Sequence, residues 1–210
     1  MKPVSKRSNN RIDTLLEAAA KLFASKGFKE TTMRDIASEL DMLPGSIYYH
    51  FSSKEELLLE IYEAGVKSFV DGFADAISAH SDPWDRLRAA MAFHVAAITE
   101  EDSYTRVVNR VLPEHVKDYH GVIRDMRNQY DRCFRNLIDS LPLAPSVDKT
   151  LLRMMILGAG NHVQIWFNAD GPQKADDIGE AFANFLTHTI AAAPGKAGEG
   201  RGRANAAGKK

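Results

Sequence analysis

Apolar residues recur with the helical period along most of the chain, and no stretch alternates between apolar and polar residues as a half-buried strand does. The first clear stripe lies within residues 12–23 and consists of Ile12, Leu15, Leu16, Ala19, Leu22 and Phe23. We therefore predict an all-α protein with one helix after another.

The first three predicted helices are separated by clear stop and start signals. Gly27 ends the first helix, and Thr32 begins a second with Asp35 at the spacing of an acidic capping box. After a break at residues 41–43, Pro44 begins a third, very short helix. Ser52 or Ser53 then caps a long fourth helix, whose first turn is acidic.

Further helices are predicted near residues 83–100, 103–112, 115–141, 147–168 and 174–192. The resulting architecture is an N-terminal three-helix domain, residues 1–56, followed by a larger helical domain, residues 57–193. Residues 194–210 are rich in glycine, alanine and basic groups without an apolar stripe, so we predict a disordered basic tail.

Composition narrows the class of protein. Of the 210 residues 44% are hydrophobic, which is enough for a real core, and the single cysteine, Cys133, excludes an intrachain disulfide. The most apolar stretch, residues 151–167, is short for a membrane span and contains Arg153, Asn161, His162 and Gln164. We expect a soluble cytoplasmic protein without a membrane partner.

The net charge of −1 conceals an uneven distribution. Residues 1–11 hold four basic groups and no acid, and residues 194–210 hold five basic groups and one acid, so residues 12–193 carry a net charge of −9. A local basic patch suits phosphate binding even when the remaining surface is acidic.

Residues 31–51 have the plan of a helix-turn-helix, in which the second helix enters the major groove of DNA. Ile36, Leu40, Met42 and Ile47 form its expected small core. Polar and aromatic residues are left facing outward: Arg34, Gly45, Ser46, Tyr48, Tyr49 and His50. Serine and tyrosine hydroxyls donate to phosphates, and tyrosine rings pack on thymine methyl groups.

Over roughly residues 10–57 this sequence resembles the TetR family of repressors. The matching features are Leu22-Phe23 and Gly27-Phe28, then residues 32–37, 45–51 and 54–57. The resemblance implies phosphate contacts from Thr32, Tyr48, His50 and Lys54. It implies that the positions nearest the bases are Arg34, Pro44, Gly45, Ser46 and Tyr49.

Two residues depart from the family pattern. Asp41 replaces the glycine of the turn, and it tolerates left-handed backbone less well than glycine does. Leu43 replaces the serine or threonine that normally precedes the third helix, so we expect the loss of one N-cap hydrogen bond, a cost of about 1 kcal/mol.

Beyond residue 57 no catalytic constellation, metal motif or cofactor loop has supporting context, so we expect neither an enzyme nor a bound metal or cofactor. Methionine and aromatic residues of the middle helices suit a cavity for an apolar ligand, although the same residues would fill an ordinary core. The candidate effector contacts are Met91, Val108, Met126, Tyr130, Phe134, Asn161 and Trp166.

Residues 158–161, with Trp166-Phe167 and Gly171-Pro172, are similar to TetR-family regulators of steroid and fatty-acid breakdown. This resemblance implies an acyl-CoA or other lipid-like effector. The last two helices carry apolar stripes that indicate a homodimer interface, with intramolecular packing of the same stripes as the alternative. One stripe comprises Leu151, Leu152, Met155 and Ala159, and the other comprises Ile178, Ala181, Phe182, Phe185, Leu186, Thr189 and Ile190.

We therefore predict a ligand-responsive transcriptional repressor that binds double-stranded operator DNA as a homodimer and is released by a small effector. A helical ligand carrier or enzyme with a vestigial helix-turn-helix is the first alternative. An activator, or a DNA-architectural protein without an effector, is the second.

Overall fold

The computed structural model describes residues 6–100 and 102–190, and within them every regular element is helical. The predicted disordered tail, residues 194–210, and Lys2 of the basic N-terminal stretch lie outside the described residues. The helices are α1 (Lys6–Ser25), α2 (Met33–Glu39), α3 (Pro44–Tyr48), α4 (Lys54–Ser78), α5 (Pro83–Thr99), α6 (Ser103–Arg110), α7 (His120–Asp139), α8 (Lys149–Trp166) and α9 (Ala175–Ile190). The prediction of an all-α fold is confirmed.

One connection differs from the prediction. The chain leaves α6 at Val111, two short 3₁₀ turns follow at Pro113–His115 and Lys117–Tyr119, and α7 begins only at His120. Pro113 explains the early end of α6, because proline lacks an N–H and disfavours helical backbone at the residue before it. The predicted helix start at residue 115 is therefore wrong by five residues.

Side-chain caps fix most of the helix starts. The hydroxyl of Ser53 accepts from the N–H of Glu56, and Asp82, Asp102 and Asp148 accept backbone N–H groups at the starts of α5, α6 and α8. At α3 the N-cap residue is Leu43, which makes no side-chain cap, as the sequence predicts.

The first core cluster runs without a break from α1 into the larger helical part of the molecule. It joins Leu15 and Phe23 of α1 to Ile36 and Ile47 of α2 and α3, and continues through α4. Its far end is formed by residues of α6, α7 and their connection: Val107, Val108, Val111, Val116 and Ile123. Helices α1, α4 and α6 are therefore packed into one shared core.

The second core cluster joins α5, α7, α8 and α9 around Met91 and Phe134. Helices α5 and α9 pack closely at Gly179, where a Cβ would lie 2.1 Å from the carbonyl oxygen of Met91. Only glycine allows this contact.

This packing divides the two apolar stripes of the predicted dimer interface. Leu152 and Ile178 are buried inside the subunit, in different core clusters. Leu151, Met154, Met155, Ile165, Trp166 and Phe185 are exposed large hydrophobic residues. The intramolecular alternative therefore holds for part of each stripe, and the rest forms an exposed face on α8 with Phe185 of α9.

Candidate functional site

Helices α2 and α3 are held together by buried residues and present a polar, aromatic face to solvent. Ile36 and Ile47 have no exposed surface. On the outer side lie the residues predicted to meet DNA: Thr32, Arg34, Gly45, Ser46, Tyr48, Tyr49 and His50 are all exposed. Pro44 is half-buried at the start of α3.

The start of α2 is fixed by a complete capping box. The Thr32 hydroxyl accepts from the N–H of Asp35 at 3.1 Å, and the Thr32 N–H donates to the Asp35 carboxylate at 2.8 Å. The Lys26 ammonium lies 2.7 Å from the same carboxylate. The hydrogen bond from Lys26, followed by those from Thr32, lowers the pKa of Asp35 to about 2. The Asp35 carboxylate of the capping box is therefore ionised at every physiological pH.

The aromatic residues of α3 are unusually open. The Tyr49 side chain is 85% exposed, and its ring meets the ring of His50 edge to face with 5.1 Å between centroids. Tyr49 and His50 are thus two exposed aromatic rings directly after a five-residue helix. Exposed rings of this kind are typical of a surface that binds another molecule.

Asp41 adopts left-handed backbone with φ of 51° in the turn before α3, as its replacement of glycine predicts. It is the only non-glycine residue with positive φ among the described residues. The turn is therefore formed at some conformational cost.

Lys54 is in a different setting from the one that the family resemblance implies. Its ammonium donates to the carbonyl oxygens of Phe28 at 2.6 Å, Thr31 at 2.8 Å and Lys29 at 3.3 Å, and it lies 4.4 Å from the centroid of the Phe28 ring. These contacts use all three of its donors. In this structure Lys54 ties the α1–α2 connection to α4, so a phosphate contact would require the loss of a carbonyl partner.

The larger helical part contains a cavity of about 250 Å³, which we call the effector cavity. Its apolar lining comes from Val66, Phe69, Ile98, Val108 and Leu157, and its polar lining from His94, Asn109, Arg127, Asn128, Tyr130, Asp131 and Asn161. Its lining is therefore mixed, with five apolar and seven polar residues.

His94 is the central polar group of this lining. It is 2% exposed, its Nδ1 lies 3.1 Å from the Tyr130 hydroxyl, and its ring stacks on the Tyr130 ring. Burial lowers the pKa of His94 to about 4, opposed by the smaller effect of the nearby Asn161 side chain. Nε2 has no partner of good hydrogen-bond geometry among the described residues, and an added Cβ at Gly160 would lie 2.9 Å from it. His94 is therefore a neutral imidazole.

The charged lining residues are already engaged within the protein. Arg127 donates at 2.9 Å to both the Tyr62 hydroxyl and the Val108 carbonyl, and so connects α7 to α4 and α6. The Asp131 carboxylate lies 3.0 Å from Arg153 and 3.2 Å from Arg135. Asp131 is therefore charge-paired with two arginines, whereas both of these hydrogen-bond partners of Arg127 are neutral, so its guanidinium keeps a full positive charge at the cavity.

Three of the seven predicted effector contacts, Val108, Tyr130 and Asn161, line this cavity. Met91 and Phe134 lie in the packed second core, Met126 packs against the first, and Trp166 is half-exposed at the end of α8. Those four do not line the effector cavity, because residues of the same helix (α5, α7 or α8) pack into different parts of the protein. The sequence prediction omitted His94 and Arg127, which also line the cavity. The one sequence signal for His94 is its four-residue spacing from Ile98, which places the two side chains on the same face of α5.

The described residues contain no group of three or more histidine, cysteine or acidic residues placed to hold a metal ion. In the same ranges, no helix is both long and apolar enough to span a membrane.

Two family models match the chain. Residues 15–61 match "Bacterial regulatory proteins, tetR family", and residues 80–190 match "Tetracyclin repressor-like, C-terminal domain". The sequence resemblance is thereby confirmed, and it extends over both the helix-turn-helix and the larger helical part.

Among individual proteins, the chain is 26% identical over 190 residues to the HTH-type transcriptional repressor KstR2 of Mycobacterium tuberculosis, covering 87% of this chain and 94% of the relative. The solved structure of that ketosteroid transcriptional regulator superposes with a TM-score of 0.70 at 25% identity, covering 87% of this chain and 95% of the other. The HTH-type transcriptional activator FasR of Mycolicibacterium smegmatis is 25% identical over 183 residues, covering 84% of this chain and 81% of the relative. The structure of AibR in complex with isovaleryl coenzyme A and operator DNA has the same fold, with a TM-score of 0.69 at 24% identity, covering 84% and 95%.

Proposed function

The chain belongs to the tetR family of bacterial regulatory proteins, and from this we propose that it is a transcriptional repressor that binds operator DNA as a homodimer and is released by a small effector. The observation that carries the proposal is the exposed face of α2 and α3, joined through one continuous core to helices that line a cavity. A relative named as a transcriptional repressor aligns over most of the chain, which supports repression as the direction of control.

In this proposal Tyr48, His50 and Thr32 donate to phosphates, and Tyr49, Ser46 and Arg34 lie at the base edges. Exposure of all six residues on one surface supports this assignment. An operator partner also implies that the protein acts in the cytoplasm of a bacterial cell.

Homodimerisation is supported by the exposed face of α8. Met154, Met155 and Ile165 lie three, four and fourteen residues after Leu151, spacings that place all four on one side of the helix, and each is more than half exposed. A cluster of exposed large apolar side chains is typical of a surface that contacts another protein. A twofold axis next to α8 and α9 would build a four-helix interface and pair two helix-turn-helix units, which operator recognition needs.

For the effector we propose a small molecule with an apolar body, of acyl-CoA or other lipid-like character. The mixed lining of the effector cavity, with five apolar and seven polar residues, supports an amphipathic ligand. A ligand releases DNA only by binding the DNA-incompetent conformation more tightly, so it must act on a helix that moves relative to α1.

The decisive experiment is a fluorescence-anisotropy titration of the purified protein against its own promoter DNA and a scrambled duplex, over a series of salt concentrations. We expect nanomolar binding to the promoter, much weaker binding to the scrambled duplex, and a steep decline of both with salt. Weak binding that ignores sequence would reject the repressor and favour the helical carrier or enzyme. Transcript levels of the adjacent genes after deletion of the regulator would then separate repression from activation.

A further inference from the structure

Arg127 is the one arginine or lysine among the described residues that line the effector cavity. It lies on α7 and is half-buried. Its Nη1 donates to the Tyr62 hydroxyl and to the Val108 carbonyl oxygen, each at 2.9 Å, so both N–H groups of that nitrogen are used inside the protein. These two contacts hold the guanidinium in a fixed position at the cavity.

The opposite edge of the same guanidinium is open. Within the described residues, Nε and Nη2 of Arg127 have no hydrogen-bond acceptor, and neither atom is one of the buried polar atoms without a partner, so both keep accessible surface. The N–H groups of Nε and Nη2 lie side by side in one plane and match the two oxygens of a carboxylate. Arg127 therefore offers a preoriented site for a planar anion.

The charges around Arg127 favour an anion as well. Asp131 is the single acid in the described lining, and its carboxylate is paired with Arg153 at 3.0 Å and Arg135 at 3.2 Å. His94 is neutral, because burial lowers its pKa to about 4. The positive charge of Arg127 is thus not balanced by a protein carboxylate, and a ligand that brings a negative charge gains from it.

The volume of the effector cavity limits the size of this ligand. About 250 Å³ lies just below the range of about 300–1,000 Å³ that is typical of sites for drug-sized ligands. The five apolar lining residues suit a short hydrocarbon body, and a coenzyme A group is far larger than this space. A compact molecule with one anionic group fits the lining best.

We propose that the effector is a small free carboxylic acid, whose carboxylate binds Nε and Nη2 of Arg127 and whose hydrocarbon body fills the effector cavity. Hydrogen bonds between a guanidinium and a carboxylate are roughly twice as strong as neutral ones, so the acid is distinguished from an uncharged molecule of the same shape. This inference rests on the proposed repressor function, and it selects a free acid over a coenzyme A thioester as the ligand of the same cavity.

The test compares three forms of each ligand at about pH 7.5, where a carboxylic acid is ionised. The probes are the straight-chain acids from butanoic to decanoic, their primary amides and their coenzyme A thioesters. The amide has nearly the shape of the acid without its charge. Calorimetry measures affinity for the DNA-free protein, and anisotropy measures release of promoter DNA.

For the wild type we expect at least one acid to bind about ten- to a hundredfold more tightly than its amide, and more tightly than its thioester. Arg127→Gln should remove most of the difference between acid and amide. Arg127→Lys should keep only part of it, because lysine retains the charge without the planar pair of donors. Arg132→Gln is the matched control, since Arg132 is exposed on α7 and does not line the cavity.

A separate variant distinguishes anion binding from a structural role of Arg127. Tyr62→Phe removes one neutral partner of Nη1 and should lower the melting temperature, yet it leaves the guanidinium in place, so the preference for the acid should persist. If Arg127→Gln does not fold, Arg127→Lys and the three-way comparison in the wild type still test the inference.

Equal affinities of acid and amide in the wild type would overturn the inference. It would also be overturned by a preference for the acid that is undiminished in Arg127→Gln, by a thioester that binds more tightly than its acid, or by a series in which no acid binds. In each of these cases, sequence-specific binding to promoter DNA would leave the proposed function standing, whereas its absence would reject the function itself.

Discussion

The guanidinium of Arg110 donates a hydrogen bond of 2.8 Å to the carbonyl oxygen of Ala24, which lies 86 residues earlier in the chain. The two residues directly before Arg110, Val108 and Asn109, line the effector cavity. One short helix, α6, therefore contacts both the ligand space and the end of α1. This connection gives a physical route between an occupied cavity and the DNA-binding face, because α6 also shares the first core cluster with α1.

The contacts of Lys54 predict a structural role. Replacing Lys54 with glutamine removes the donor of three carbonyl oxygens, so we expect the free energy of unfolding to fall by about 2 kcal/mol. Urea denaturation measures this change, and Lys29→Gln, at an exposed neighbour, serves as the control. The opposite result would support a phosphate contact: stability is unchanged, and the slope of log affinity for DNA against log salt concentration becomes smaller by about one.

The exposed tyrosines of α3 predict a division of roles. Tyr48→Phe removes one phosphate donor and should weaken binding to operator and scrambled DNA by a similar factor, about three- to tenfold. Tyr49→Ala should instead change which bases are preferred, because the Tyr49 ring is 85% exposed and free to reach base edges. Anisotropy against a set of single-base operator variants distinguishes the two effects, and identical profiles for both variants would contradict the division.

Because Asp41 adopts left-handed backbone, we expect glycine at this position to stabilise the turn. Asp41→Gly relieves the strain at φ of 51° and should raise the free energy of unfolding by about 0.5–1 kcal/mol, since the gain is reduced by the greater freedom of glycine in the unfolded chain. Asp41→Ala should lower it. Thermal melts of both variants, with Asp41→Asn as a neutral residue that tolerates this conformation, check the order. Alanine as stable as glycine would refute the explanation.

The buried imidazole of His94 predicts a loss of stability in acid. Its pKa in the folded protein, about 4, lies below the ordinary value of 6.5, so only the unfolded chain takes up a proton between these values. Stability should be constant above about pH 6.5 and fall as the pH decreases towards 4, by about 3 kcal/mol in total. Urea midpoints at neutral pH and near pH 5 measure the effect. His94→Gln should lose this part of the pH dependence. His162→Gln, at an exposed position, is the control and should keep it. If stability falls with pH equally in the wild type and both variants, His94 is not the cause.

The exposed face of α8 predicts a dimer that a single charge disrupts. Ile165 is 73% exposed in the isolated chain, and Ile165→Glu would bury an unpaired carboxylate at the proposed interface. We expect the dissociation constant of the dimer to rise about a hundredfold. Analytical ultracentrifugation gives the oligomeric state, and Gln129→Glu on α7 controls for added charge. A variant that remains as dimeric as the wild type would place the interface elsewhere.

Local sequence signals were enough to predict the N-terminal helices and their exposed polar and aromatic face. The capping box of Thr32 and Asp35, proline at the start of α3 and the missing cap at Leu43 each depend on residues within one turn, so they appear in the sequence as they appear in the fold. The division into residues 1–56 and 57–193 remains a prediction.

For the larger helical part, local sequence signals predicted the helices but not the roles of their side chains. Its helical periodicity gave the helices, but the same apolar residues serve a core, a cavity or an interface, and only the packing of α4 to α9 decides among these roles. Met91 and Phe134 lie in the packed second core, whereas His94 lines the effector cavity. Likewise the contact of Arg110 with Ala24 joins residues 86 positions apart, and no local pattern encodes it, because it exists only once the helices are assembled.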